Sequence, residues 1–218
     1  MSSKIKCVTP VALLDVIETI GPGFEQETGH RLELSIMLNP EVPAFIQSGA
    51  DWSLAASNPW HLEEIPAKAR GPIQALGRSP LAFGALGDGG APVGDDAGIS
   101  DVLRRSTRIG VTGTGTSGKT FARLLERLAL TDEVQDRIIP LKGGEPMRQL
   151  LAGHVDLAVL PLTNIAPIRG VRPIAVCPWD LDVHIDLALC CHPEASAEAH
   201  MFADWLLSND RDETLEAL

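Results

Sequence analysis

The residues best suited to chemistry are Gly113-Thr-Gly-Thr-Ser-Gly-Lys-Thr120, which follow the short apolar run Arg108 to Thr112 and precede an amphipathic stretch from Phe121 to Leu130. A strand, a glycine-rich turn and a helix in that order are built to hold an anion. Glycines let successive backbone N–H groups converge on one point, and the helix adds unpaired first-turn donors and the positive end of its dipole, about +0.5 charge. The same residues satisfy the phosphate-loop pattern G-x-x-x-x-G-K-[ST], with Lys119 in the lysine position and Thr120 in the magnesium-ligand position. A nucleotide hydrolase also needs a later strand that ends in an acidic metal ligand. The runs Val155-Asp-Leu-Ala-Val-Leu160 and Ile185-Asp-Leu-Ala-Leu189 end instead in Pro161 and Cys190, which argues against nucleotide. The bland alternative is a strand-to-helix turn with no ligand at all.

Other reactive side chains are sparse. His61, close after Ser57-Asn58, and His154 are the histidines available as a base, and a lone histidine is more often structural. Ser79 and Cys7 lack the elbow motif or adjacent base that would make either a nucleophile. Cys7, Cys177, Cys190 and Cys191 fit neither a disulfide framework nor a zinc site. Neighbouring strand residues point to opposite faces, so Cys190 and Cys191 cannot easily share one ion, and buried thiols are expected with no metal and no cofactor.

Composition bounds the rest. A chain of 218 residues, 44% hydrophobic and 22% charged, buries a substantial core. No apolar run approaches the ~20 residues of a membrane span, so no membrane insertion is expected. The net charge of −11 repels nucleic acid, and the densest basic cluster, Arg104-Arg105 with Arg108, is too small to override it. Lys4-Ile-Lys6 passes directly into a strand, leaving no room for a secretory leader. The expected location is cytoplasmic as the sequence stands, and periplasmic if a leader has been removed.

The elements that must position the glycine-rich turn alternate between strand and helix. Ile5 to Thr9 reads as a strand, with Thr9 as N-cap and Pro10 at the first position of a helix carrying Val11, Leu14, Ile17 and Ile20 on one face. Gly21-Pro22-Gly23 is expected to break it. Arg31 to Ile36 alternates like a strand, Glu41 to Ser48 reads as a short helix, and Asp51 to Ala56 as the next strand. Residues 84–98 turn to glycine, proline and aspartate, as expected of a loop. Later come helices at 121–130, Glu145 to Ala152, Ala195 to Leu207 and Arg211 to Leu218, with strands at Val155 to Leu160, Pro173 to Cys177 and Ile185 to Cys191. The alternation predicts an α/β class with mostly parallel sheets flanked by helices, and no internal repeat is evident. Ligands of such sheets sit at the carboxyl ends of strands, where Thr9 to Ala12, Ser57-Asn58 and Thr112 to Ser117 fall.

Five segments in this order resemble the type II periplasmic-binding-protein fold of the molybdate-binding (ModA-like) solute-binding family. They are Phe24-Glu-Gln-Glu-Thr-Gly-His30, Gly49-Ala-Asp-Trp-Ser-Leu-Ala-Ala-Ser57, Gly77-Arg-Ser-Pro-Leu-Ala-Phe83, Gly113-Thr-Gly-Thr-Ser-Gly118 and Ala152-Gly-His-Val-Asp-Leu-Ala158. The resemblance spans nearly the whole chain. It implies a two-lobed fold, with residues 1–83 plus 176–218 as lobe I and 84–175 as lobe II, and a ligand held in a cleft between them. Carried over by motif, it implies ligand contacts from Thr9, Val11, Asn39, Ser57 and Asn58 in lobe I. From lobe II it implies Thr114, Gly115, Thr116, Ser117, Thr163 and Asn164. The molybdate-binding branch commonly uses a tyrosine from lobe II, and this chain has none, which turns the expectation away from molybdate itself.

Three functions follow as expectations. The first is binding of a small anion, an oxyanion or an organic carboxylate, as a solute-binding protein or sensor. Lys119 or Arg78 would be its charge partners, and an ABC transporter its partner if the protein is exported. The second is a cofactor-independent isomerase of a small polycarboxylic acid in the same cleft, with His61 or His154 as base. The third is the phosphate-loop nucleotide-binding protein. A non-enzymatic binding protein is preferred to an enzyme.

Overall fold

A computed structural model describes residues 3–87 and 90–208. In chain order the elements are β1 (Lys4–Pro10), α1 (Val11–Thr28), β2 (Arg31–Met37), α2 (Val42–Gln47), β3 (Leu54–Ser57), α3 (Pro59–Glu63), β4 (Gln74–Leu86), α4 (Asp96–Arg105) and β5 (Ile109–Thr112). They continue with α5 (Thr116–Arg127), α6 (Thr131–Val134), β6 (Ile138–Leu141), α7 (Glu145–Leu151), β7 (Leu157–Pro161), β8 (Val171–Val176), β9 (His184–Cys191) and α8 (Ala197–Leu207). The helix expected at 211–218 lies outside the described residues. Two compact units form, one of Met1–Gly77 with Asp186–Leu218 and one of Arg78–Ile185. Both junctions fall inside strands, β4 and β9.

The sheet of the first unit runs β2-β1-β3-β9, with β1 parallel to both neighbours and β9 antiparallel to β3. The second runs β6-β5-β7-β4-β8, with β5 parallel to both neighbours and β4 antiparallel to β7 and β8. Each unit is thus an α/β sheet with a parallel three-stranded centre and antiparallel additions. The two centres have one topology: strand, helix, strand on one side, then a return to the other side of the first strand. No repeat is visible in sequence because the shared feature is connectivity, which many different apolar patterns satisfy.

Helix α1 departs from expectation at both landmarks. Pro10 is its N-cap, one residue later than expected, and Thr9 remains in the strand. The helix also continues through Pro22 to Thr28. A helix-interior proline costs about 3 kcal/mol. Ile17, Ile20 and Phe24 are buried, Phe24 with its ring 4.8 Å from Phe202 and 5.4 Å from Trp205. At about 1.5–3 kcal/mol for each large apolar side chain, that burial outweighs the proline. Glycine 29, at φ 73°, ends the helix instead.

The second unit buries Leu81, Phe83, Ile99, Leu103, Ile109, Phe121, Leu124 and Leu157 on one side of its sheet and Ala82, Leu150, Ala158, Leu160, Ile165 and Val171 on the other. The thirteen-residue β4, interrupted by Gly77, Pro80 and Gly84, carries both sets and has no simple alternating pattern. Helix α4 begins inside the stretch expected as loop, residues 84–98, and Arg104 and Arg105 are exposed in its last turn.

Candidate functional site

Parallel pairing brings the carboxyl ends of β2, β1 and β3 to one edge of the first unit. Pro10 pairs with Met37 and Val8 with Ala55, so Asn39, Pro10 and Ser57-Asn58 follow one another along that edge. The chain reverses its direction of travel at β1, the topological switch point where α/β sheets take their ligands.

Three of the expected contacts form one hydrogen-bonded hub there. The Ser57 hydroxyl donates to the main-chain and side-chain oxygens of Asn39, both at 3.1 Å, and the Asn58 N–H donates to Asn39 Oδ1 at 3.2 Å. Asn58 Nδ2 donates to the Asp186 carbonyl at 2.5 Å. All three side chains are buried, and a backbone N–H can only donate, so the amide of Asn39 is oriented unambiguously. Val11 opens α1 at the same edge.

Thr9 is not part of this hub. Val8 packs with Ala55, Ala188 and Cys190 on one face, so alternation puts Thr9 on the other face while Ser57 shares that of Ala55. Its Oγ1 is fully buried and has no hydrogen-bond partner among the described residues. Had Thr9 been the N-cap, that oxygen would have taken a first-turn N–H.

The second unit repeats the arrangement at β5. Gly113 N–H bonds the Leu141 carbonyl, and α5 starts at Thr116 after a three-residue turn, with Thr114 exposed and Gly115, Thr116 and Ser117 buried. Because Val111 pairs with Val159, Thr163 and Asn164 after β7 share this edge. Ser79 joins them: its hydroxyl accepts the Thr163 N–H at 3.3 Å and lies 3.4 Å from Thr163 Oγ1. Sequence reasoning treated Ser79 only as a nucleophile, although Arg78-Ser79-Pro80 stood inside a family motif.

The four longest helices divide sharply by how they begin. Helices α4 and α8 are capped by the side chains of Asp95 and Ser196 and carry Asp96 and Glu198 in their first turns. Helices α1 and α5, at the two switch points, have Pro10 and Gly115 as N-caps, no side-chain cap bond and no acidic residue in the first turn. Their positive ends are the ones that neither an N-cap side chain nor a first-turn acid offsets.

The phosphate-loop reading fails on geometry. Thr116 and Ser117, which that motif needs as loop, are already helix, Lys119 is exposed, and the Thr120 hydroxyl accepts a bond from Arg123. Beside β5, β7 does end in Pro161. His154 is displaced as well: it bonds Gln149 at 2.8 Å and precedes β7, at the end of the sheet opposite the glycine-rich turn. His61 is half-buried in α3 with Nδ1 2.8 Å from Glu64. Among the described residues no group of three His, Cys, Asp or Glu is placed to hold a metal, and no helix is long and apolar enough to cross a membrane.

The family described as bacterial extracellular solute-binding protein matches residues 5–217. The chain belongs to that family. No curated protein matches it in sequence. Among solved structures, the periplasmic molybdate-binding protein of Azotobacter vinelandii is similar at TM-score 0.79 and 20% identity over 94% of both chains. A domain assigned as the substrate-binding domain of a molybdenum ABC transporter from Clostridium difficile gives 0.73 and 16% over 99% of this chain and 96% of that one. The CcmR regulatory domain of Synechocystis PCC6803, in complex with 2-PG, gives 0.66 and 16% over 94% and 96%. These likenesses establish the type II periplasmic-binding-protein-like fold of this solute-binding protein. Neither the family nor these structures speak for an isomerase.

Proposed function

We propose that this solute-binding protein binds a small anion, an oxyanion or a carboxylate, through neutral donors at the switch-point edge of each unit. The first would use Asn39 with the start of α1 at Val11, Ser57 and Asn58 holding the Asn39 amide in place, and the second Thr114, Gly115, Thr116, Ser117, Thr163 and Asn164. The observation that carries the reading is the contrast in helix starts: α1 and α5 lack the side-chain caps and first-turn acids that α4 and α8 possess. An anion at either edge gains from the dipole of the helix that starts there. Thr9 contributes by shaping the end of β1 rather than through the Asn39 hub. Similar proteins that bind molybdate, or that serve a molybdenum ABC transporter, support the anionic class and a role delivering ligand to a transporter outside the cytoplasm.

The test is a thermal-shift and calorimetric panel of sulfate, molybdate, phosphate and small carboxylates without magnesium, with magnesium-ATP as a control. An anion at a hundred times its Kd stabilises by about 2.7 kcal/mol, roughly a 5–10 °C rise for a chain of this size. Asn39→Ala on one edge and Ser117→Ala on the other should each weaken binding, by roughly tenfold or more for a lost hydrogen bond to charge. Stabilisation by magnesium-ATP alone, or by no anion at all, would overturn the reading.

A further inference from the structure

A cation stands beside the glycine-rich turn of the second unit. Thr112 pairs with Leu141 across the parallel β5 and β6, and the Gly113 N–H bonds the Leu141 carbonyl at 2.9 Å, so Lys142 leaves β6 alongside the turn, one strand spacing of about 4.8 Å away. Ile138 packs on the cluster that contains Phe121, Leu124 and Leu125 of α5, and Ile139 on that of Leu150, on the other side of the sheet. Alternation carried one residue past the strand therefore puts Pro140 and Lys142 on the α5 face. Gly113 lies on that face too, since a Cβ there would stand 3.2 Å from that of Pro140. Lys142 thus shares both the edge and the face of the turn that opens α5.

Its charge is open to a ligand. Lys142 is exposed, and its side chain takes part in no ion pair or hydrogen bond among the described residues. The Glu145 N–H bonds the Lys142 carbonyl at 3.1 Å, so the backbone is held in a turn while the flexible four-carbon stem can swing. Glu145, the acid nearest in the chain, accepts bonds from Arg148 at 2.6 Å and Gln149 at 3.2 Å through its carboxylate. Asp132, Glu133 and Asp136 precede β6 and so lie at the opposite end of the sheet. Lys119 is worse placed, on the side of α5 away from the buried Ser117, Thr120, Phe121 and Leu124. Arg78 stands on β4, which β7 separates from β5.

We infer that Lys142 is the charged anion-binding residue of the second unit, and that it makes affinity rise with ligand charge, favouring a doubly charged anion over a singly charged one of the same shape. The inference rests on the anion-binding reading above. Backbone N–H groups and hydroxyls fit both kinds of anion by shape. Lys142 adds a full positive charge to the about half charge at the start of α5, and its attraction grows in proportion to the charge it meets. As a compact point charge it suits an oxyanion held by main-chain donors on its other side.

Pairs alike in shape and unequal in charge test it by calorimetry on the full chain at about pH 8, where lysine is charged: molybdate against perrhenate, sulfate against perchlorate, and malonate against its monomethyl ester. The doubly charged member of at least one pair should bind about tenfold or more tightly than its counterpart. Lys142→Gln should weaken that member by about tenfold and its counterpart by only about threefold, because the lost attraction scales with charge. Lys142→Arg should keep the preference. Arg105→Gln, the same change in net charge before the amino end of β5, should leave both affinities as they are. The inference is overturned if no doubly charged member binds better than its counterpart, if Lys142→Gln binds like wild type, or if Arg105→Gln weakens binding as much as Lys142→Gln, and anion binding then still stands. Absence of binding by any anion overturns both.

Discussion

Gly118 in α5 packs against the end of β5 so closely that a Cβ there would stand 2.0 Å from the Thr112 carbonyl oxygen. The contact fixes where α5 begins relative to the strand, and hence where the N–H groups of its first turn point. Alanine normally improves a helix over glycine by about 1 kcal/mol. Overpacking typically costs about 1–3 kcal/mol, and here the obstacle is backbone, which cannot swing aside as a flexible side chain can. Gly118→Ala is therefore expected to lower Tm by several degrees and to weaken anion binding. An unchanged Tm would mean that α5 slides freely and that the contact does not position the turn.

Asp156 ties the entrance of β5 to that of β7. Its carboxylate accepts the Thr107 N–H at 2.9 Å, the Arg108 N–H at 3.1 Å and the Thr107 hydroxyl. Burial pushes its pKa up, but the Thr107 hydroxyl, the two backbone N–H groups and the Arg108 charge together outweigh that and hold it below the ordinary value. A carboxyl depressed in the folded state contributes stability that is complete above its unfolded value, about 3.9, and is lost as pH falls through the lower folded value. In urea melts, wild type should exceed Asp156→Asn by a constant margin at neutral pH, and the margin should shrink below about pH 4. Glu25, held low first by the Leu32 N–H, shares that window. A margin that grows toward low pH would contradict the assignment.

The sequence made legible the features that depend on local chemistry. The glycine-rich turn before α5 was readable because glycines and an amphipathic helix follow one apolar strand. The positions Asn39, Ser57 and Asn58 came through family motifs, yet their mutual bonding depends on β2, β1 and β3 lying side by side, which spacing does not encode. Long-range pairing also hid β4, whose glycines and proline break any alternating pattern and whose last residues fall in the stretch expected as loop, until β7 and β8 supply its ladder. At Thr9 and Pro22, strong local rules lost to tertiary packing: the strand kept Thr9, and the Phe24 cluster carried the helix past the proline.

Arg137 closes the other end of α4. Its Nη1 donates to the carbonyls of Leu103 at 3.1 Å and Arg104 at 2.8 Å and to that of Ser106, and Nη2 donates to Glu133 at 2.9 Å. These are carbonyls that a helix C-terminus leaves without partners. Arg137→Ala should destabilise by about 1.5–3 kcal/mol, the range for hydrogen bonds to a charged group. Arg137→Lys should recover only part, because a single ammonium cannot span the same fork. Equal stability of the lysine variant and wild type in urea melts would show that charge alone suffices.

The four cysteines are buried, and burial pushes their thiols up, to about 12 at Cys7, Cys177 and Cys190 and about 11 at Cys191. The neighbouring Cys191 adds to the effect at Cys7, and Asp204 adds to it at Cys191. Thiolate is the reactive form, so at pH 8 only about one thiol in a thousand or fewer is poised to react. Cys7 and Cys191 both pair with Leu54, one from each side, which separates them by two strand spacings, about 9.5 Å, and leaves no disulfide geometry. An aromatic disulfide reagent at pH 8 should therefore leave the native protein essentially unlabelled over minutes and label all four thiols in guanidinium. Rapid native labelling of even one would show that its strand opens locally, and the residue modified would identify which edge of the sheet gives way.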